Sequence, residues 1–130
     1  MNAPTLSLVV LDDGFGISRL GPAEPVPAWA WTGDVVCVAR TADELSIVCR
    51  EDAVPAEVRC ERGWRCLRAE GPFDFGLTGI LASLCSPLAA AGVPIFAFST
   101  FDTDYLLVRA ADLPRAVEAL SGAGHRISPR

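Results

Sequence analysis

The clearest pattern in the chain lies in its second half. Trp64-Arg65-Cys66-Leu67-Arg68-Ala69 alternates and predicts a strand, which Gly71-Pro72 ends. Asp74 stands where an N-cap belongs, and Leu77, Leu81, Leu84, Leu88 and Ala91 recur at helical spacing, so a helix with that stripe inward is expected. Pro87 inside the stripe predicts a kink or break, and Gly92 predicts the helix end. Val93 to Ser99 is apolar on both alternating faces and predicts a central strand covered on both sides. Thr100 to Thr103 predicts a turn and Tyr105 to Val108 the returning strand. Asp112-Leu113-Pro114 predicts a second helix start, with Leu113, Val117 and Leu120 inward. Gly122 and Gly124 end it, and His125 to Ser128 predicts a last strand, with the His125 ring facing solvent.

An internal repeat extends this reading to the first half. At a constant offset of 59, Thr41 falls on Thr100, Asp43 on Asp102, Arg50 on Arg109, Pro55 on Pro114 and Val58 on Val117. Ile47-Val48-Cys49 falls on Leu106-Leu107-Val108, so turn, apolar strand, basic strand end and Pro-marked helix start recur in order. Gly14 to Pro27 carries three prolines and several glycines, which predicts that the first helix of this half is short or replaced by loop. Ala53 to Val58 predicts one short helical segment, and Trp29 and Trp31 are expected to pack between the halves or at an interface.

The order strand, helix, strand, strand, helix, strand predicts an α+β fold of two ferredoxin-like (βαββαβ) halves in tandem. The expected division is residues 1–62 and 63–130, with antiparallel sheets bearing helices on one face. A bare apolar sheet face and open strand edges need a cover, so a homodimer is expected.

Composition narrows the function. Hydrophobic residues make up 51% and charged residues 21% of the 130 residues, which is globular material. The net charge of -5 argues against a nucleic-acid binder, because no basic stripe is there to displace counterions. No apolar run reaches bilayer-spanning length and Met1-Asn2-Ala3-Pro4 does not resemble a secretion signal, so a cytoplasmic, membrane-free protein is expected. Five cysteines at irregular spacing read as reduced, buried thiols, and neither a metal nor a cofactor is expected. No nucleophile stands at a recognisable spacing from a base, so catalysis is not expected.

Several segments carry a family resemblance. Glu70-Gly71-Pro72-Phe73-Asp74-Phe75-Gly76-Leu77-Thr78-Gly79 and Gly92 to Val108, with its Ser-Thr-x-x-Thr-Asp-Tyr hairpin, resemble the ACT-domain proteins of the CASTOR type. Trp29, Thr41 to Cys49 and Gly63-Trp64-Arg65 are also similar to that family's bacterial single-chain members. The resemblance implies tandem ACT domains that bind an amino acid or similar metabolite at domain interfaces, and it does not fix which one. It implies ligand contacts from Val93, Pro94 and Ile95, from the loop Phe73 to Thr78 (Asp74, Phe75, Gly76, Leu77, Thr78), and from Asp104. Pro94 departs from the sensors, which carry a small hydroxyl residue there, and proline has no N–H to give.

The residues themselves leave alternatives open. Asp104 has Leu45 as its repeat counterpart, so the carboxylate is not demanded by the scaffold; it reads either as a ligand contact or as turn chemistry. Asp74 reads as an N-cap, as part of an anion-binding helix start, or as both. Ser99 and Thr100 satisfy the hairpin or touch a ligand. Two functions remain: an amino-acid-binding regulatory domain, or a structural or protein-interaction module that keeps no ligand.

Overall fold

The computed structural model describes residues 4–129. The chain forms two compact units: a small one, Asp13–Trp64, and a large one, residues up to Asp12 together with those from Arg65 onward. Seven strands and two α-helices follow in order: β1 (Ser7–Leu20), β2 (Cys37–Arg40), β3 (Leu45–Arg50), β4 (Cys60–Ala69), α1 (Ile80–Ala90), β5 (Ile95–Ser99), β6 (Asp104–Arg109), α2 (Leu113–Gly122) and β7 (Arg126–Pro129). The fold is α+β, with antiparallel hairpins and few helices. β1 and β4 are long enough to begin in one unit and end in the other.

In the large unit the strand order is β7-β1-β4-β6-β5, with β7 parallel to β1. One sheet face carries Leu8, Leu67, Ala69, Leu106 and Val108, which pack on Leu84 and Leu88 of α1 and Ala116 and Leu120 of α2. Burying each leucine is worth about 1.5–3 kcal/mol, which suffices to hold both short helices on the sheet. In the small unit the order is β2-β3-β1-β4. Its core is Ala30, Leu45, Ile47, Cys49 and Val54, and a 3-10 helix, Ala28–Trp31, stands where the large unit has α1.

The internal repeat appears in the backbone. At the offset of 59, β3 coincides with β6, and the 3-10 turn Glu51–Ala53 coincides with Ala110–Asp112. The registers coincide too: Cys37↔Val48 matches Phe96↔Leu107, and Arg40↔Leu45 matches Ser99↔Asp104. Each turn is closed in the same way by a threonine. Thr41 N–H donates to Glu44 O at 2.9 Å, as Thr100 N–H does to Thr103 O at 2.8 Å. Each threonine hydroxyl also accepts from the backbone N–H three residues on, at 3.2 and 3.3 Å.

Several expectations are corrected. Gly14 to Leu20 is strand, not loop or helix; a Cβ on Gly14 would lie 2.0 Å from Glu51 Oε2, and one on Gly16 would lie 2.7 Å from the Cys60 sulfur. These glycines serve close packing within a strand. Ala53 to Val58 forms no α-helix; a 3-10 turn, Glu51–Ala53, ends at its first residue. Trp29 packs on the small unit's own core, and Trp31 is exposed. α1 starts at Ile80, not after Asp74, with Gly79 at its N-cap in the left-handed conformation, φ 79°. Leu77 and Leu81 therefore fall outside the buried stripe. β5 ends the strand order and is half-exposed, so it is an edge strand and not a covered central one.

Pro87 and His125 overturn two expectations with one cause. α1 runs through Pro87 without interruption, and His125 is buried, 4% exposed. Proline offers no N–H to the carbonyl four residues back, which is Ser83 O. His125 Nε2 lies 2.9 Å from that oxygen, and Leu6 N–H donates to His125 Nδ1 at 3.0 Å. The imidazole is thus assigned as the neutral Nε2–H tautomer. It ties α1 to the start of β1 and satisfies the orphan carbonyl.

His125→Ala should cost about 1–3 kcal/mol in urea unfolding, because two buried polar groups lose their partners. Adding Pro87→Ala should recover part of that loss, since the alanine introduced there has an N–H that can reach Ser83 O. Full additivity of the two changes would refute the coupling. The thiols give a second expectation. Burial pushes Cys49 up to about 11 and Cys66 up to about 12, from 9.0. Both stay protonated when folded while the unfolded chain ionises, so their contribution is complete below pH 9 and is lost as pH rises through 11 to 12. Melting curves across pH 8–11 should show wild type losing more stability than Cys66→Ala, and parallel curves would refute this.

Candidate functional site

The candidate site lies in the large unit, where the turn between β5 and β6 meets the loop leading into α1. The loop is fastened to the turn. Phe73 N–H donates to Asp102 O at 2.8 Å, and Thr103 Oγ1 donates to Ala69 O at 2.6 Å. Gly71 allows the close passage, since a Cβ there would stand 2.8 Å from Asp102 O. Beyond Phe73 the loop folds on itself: Asp74 Oδ1 accepts from Gly76 N–H at 3.1 Å, and Leu77 N–H donates to Asp74 O at 3.0 Å. Asp74 therefore closes an Asx turn ahead of the helix and does not cap it.

Ser99 and Asp104 face each other as the last cross-strand pair of the hairpin, and the Ser99 hydroxyl donates to Asp104 Oδ1. They share the face of Ile95, which packs toward the helices. A cavity of about 200 Å³ opens there, lined by loop residues 73–75 and 77, by Ile80, and by residues 99–104. Phe75 and Phe101 stand at its edge in T-shaped contact, with ring centroids 4.8 Å apart, and are 74% and 79% exposed. Three carboxylates, Asp74, Asp102 and Asp104, line the cavity, and no basic side chain among the described residues does. Such a lining attracts a cation, and aromatic faces nearby add to that preference. Among the described residues no group of three or more His, Cys, Asp or Glu could hold a metal ion.

The structure brings Asp74, Phe75, Leu77, Ser99, Thr100 and Asp104 together around this cavity. Gly76 and Thr78 belong to the same loop but do not line it, and Val93, Pro94 and Ile95 stand apart from it. Val93 is buried in the core and its N–H is already given to Leu88 O at 2.9 Å, while Ile95 pairs with Val108. Ile80, Phe101 and Thr103 join the lining without having been singled out, and Asp102 lines it beside Asp104. Phe101 carried a readable signal: its repeat counterpart is Ala42, so an exposed turn tip gained an aromatic ring the hairpin does not need.

Comparison with known proteins agrees with the fold. Residues 59–122 match the ACT domain, and residues 13–57 match a model described as an N-terminal domain. The chain is 47% identical to protein Atu0741 from Agrobacterium tumefaciens, with a TM-score of 0.93, over 98% of this chain and 96% of that one. The chain carries an ACT domain and belongs to one family with that protein. Its fold is also similar to aspartate kinase from Clostridium acetobutylicum, at 12% identity and a TM-score of 0.71, over 95% of this chain and 35% of the kinase. The regulatory subunit of aspartate kinase from Thermus thermophilus is similar at 13% identity and 0.57, over 86% and 93%. At these identities the likeness concerns the fold alone. No helix among the described residues is long and apolar enough to cross a membrane.

Proposed function

We propose that this protein is a non-catalytic regulatory domain of two ACT-type halves, and that the large unit binds an amino acid or similar small metabolite through its cationic group. The observation that carries this reading is the carboxylate-lined cavity at the hairpin end, with Asp104 where the sister hairpin keeps Leu45. An ammonium or guanidinium group would pair with Asp104 and lie beside the Phe75 and Phe101 rings. Ile80, the first residue of α1, lines the same cavity, and no side chain caps that helix, so its first N–H groups suit the ligand's carboxylate. The fold shared with aspartate kinase regulatory subunits supports a regulatory role. The alternative, an interaction module without a ligand, is favoured by the exposed Phe75, Phe101 and Leu77 at the cavity mouth.

A thermal-shift screen with the amino acids and small amines should find a stabilising ligand, because binding only the folded state raises its apparent stability. Calorimetry with that ligand should then show Asp104→Ala binding about one to three decades more weakly than wild type, with Asp43→Ala in the sister turn unchanged. Equal affinity in the two variants would place the site elsewhere. The edge strands β5 and β2 support association as a homodimer. Light scattering should give twice the chain mass at roughly tens of micromolar, and a monomer there would refute it.

A further inference from the structure

The two hairpins share one backbone and differ at the residue pair that ends them. Where the large unit has Ser99 opposite Asp104, the small unit has Arg40 opposite Leu45. Ser99 and Asp104 line a cavity with the strand-to-helix segment 70–79 of the large unit, and Arg40 reaches the corresponding segment 21–27 of the small unit. The small unit's segment is a tight turn. Glu24 N–H donates to Gly21 O at 3.2 Å, and Gly21 N–H donates to Glu24 Oε2 at 2.5 Å. The Arg40 guanidinium enters this turn: Nη1 donates to Pro22 O and Nη2 to Glu24 O, the latter at 2.7 Å. Both partners are backbone carbonyl oxygens. A planar fork with parallel donors suits two adjacent carbonyls, and an ammonium does not span them.

Arg40 thus stands at the hairpin position where the large unit presents Ser99, and its charge lies against the strand-to-helix loop as a bound cation would. We propose that the small unit holds a second, self-closed copy of the site, in which the chain's own Arg40 guanidinium acts as a resident ligand. Removing that side chain turns the loop 21–24 into an acceptor for small guanidinium compounds. In wild type only the large unit remains open to an external ligand, so each chain takes up one. This rests on the reading of the large-unit cavity as a ligand site, and the test keeps the two apart.

The probe is methylguanidinium at about 10 mM, with methylammonium at the same concentration as control, applied in an Asp104→Ala background so that the large-unit cavity does not report. Hydrogen exchange of the peptide covering residues 20–27 is followed together with the melting temperature. Adding Arg40→Ala should speed exchange in that peptide and lower the melting temperature. Methylguanidinium should restore the protection and raise the melting temperature by roughly 2–4 °C, with methylammonium doing less than half of that. Unchanged exchange in 20–27, or equal effects of the two cations, would overturn the proposal. Arg40→Lys is the second variant, for the case that Arg40→Ala does not fold: its exchange in 20–27 should exceed that of the parent, and an unchanged rate would overturn the proposal as well. Loss of metabolite binding in Asp104→Ala alone is a separate result, which judges only the large-unit cavity.

Discussion

The register of the β5–β6 hairpin decides where each polar group of the candidate site stands. The Thr100 hydroxyl and backbone close the turn on Thr103, and this sets Ser99 opposite Asp104. Successive side chains on a strand point to opposite faces, so a slip of one residue would carry Asp104 to the face away from α1. The same slip would expose Leu106 and Val108, which the core holds buried. The apolar core therefore enforces the position of the carboxylate. The loop then reads that position through Phe73 N–H and Asp102 O, so the turn supplies both the cavity floor and the anchor for its other wall. The small unit uses the same turn carbonyl differently: Asp43 O accepts from the Arg19 guanidinium at 3.0 Å.

Strands and hairpins were legible because their signal is local. Leu45 to Arg50 and Tyr105 to Val108 are short apolar runs that each follow a polar, threonine-closed turn, and the repeat at offset 59 reproduces register as well as order. Glycine and proline misled where their role depends on partners remote in sequence. Gly14 and Gly16 looked like loop residues, yet Glu51 and Cys60 lie where their side chains would be. Pro87 looked like a helix breaker until His125, far along the chain, took over the carbonyl it abandons. The burial of β5 was misjudged because an apolar stretch states hydrophobicity and not position. Phe98 satisfies itself by stacking on Tyr105, at 5.1 Å between centroids, and needs no covering layer.

The candidate site was legible in its hairpin half and less so in its loop half. Ser99, Thr100 and Asp104 follow from the turn, whose geometry the sequence pattern specifies. Asp74 lines the cavity but does not cap the helix: Gly79, five residues on, starts it, because its positive φ turns the chain at no steric cost. The strand start at Val93 to Ile95 came from family resemblance alone, and nothing in the residues demanded it. Its backbone polarity is consumed by the end of α1, where Gly92 N–H bonds to Ala89 O and Val93 N–H to Leu88 O. A group already spent on a helix cap is not free for a ligand.

One difference between the two halves of the repeat is the pair that ends each hairpin, Arg40 and Leu45 in one, Ser99 and Asp104 in the other. Arg40 is exposed and Asp104 is half-buried, so each charge keeps part of its hydration. With Arg40, the small unit satisfies its loop carbonyls from within and gains order in a segment whose prolines cannot form helix. With Asp104, the large unit keeps uncompensated negative charge beside apolar rings, in a chain whose net charge is already negative. That combination draws cations toward the cavity and repels anions from it. Among the described residues the Asp104 side chain accepts one hydrogen bond, from the neutral Ser99 hydroxyl. A cation reaching the hairpin end would meet this carboxylate beside the exposed Phe75 and Phe101 rings, which is what the proposed binding role requires.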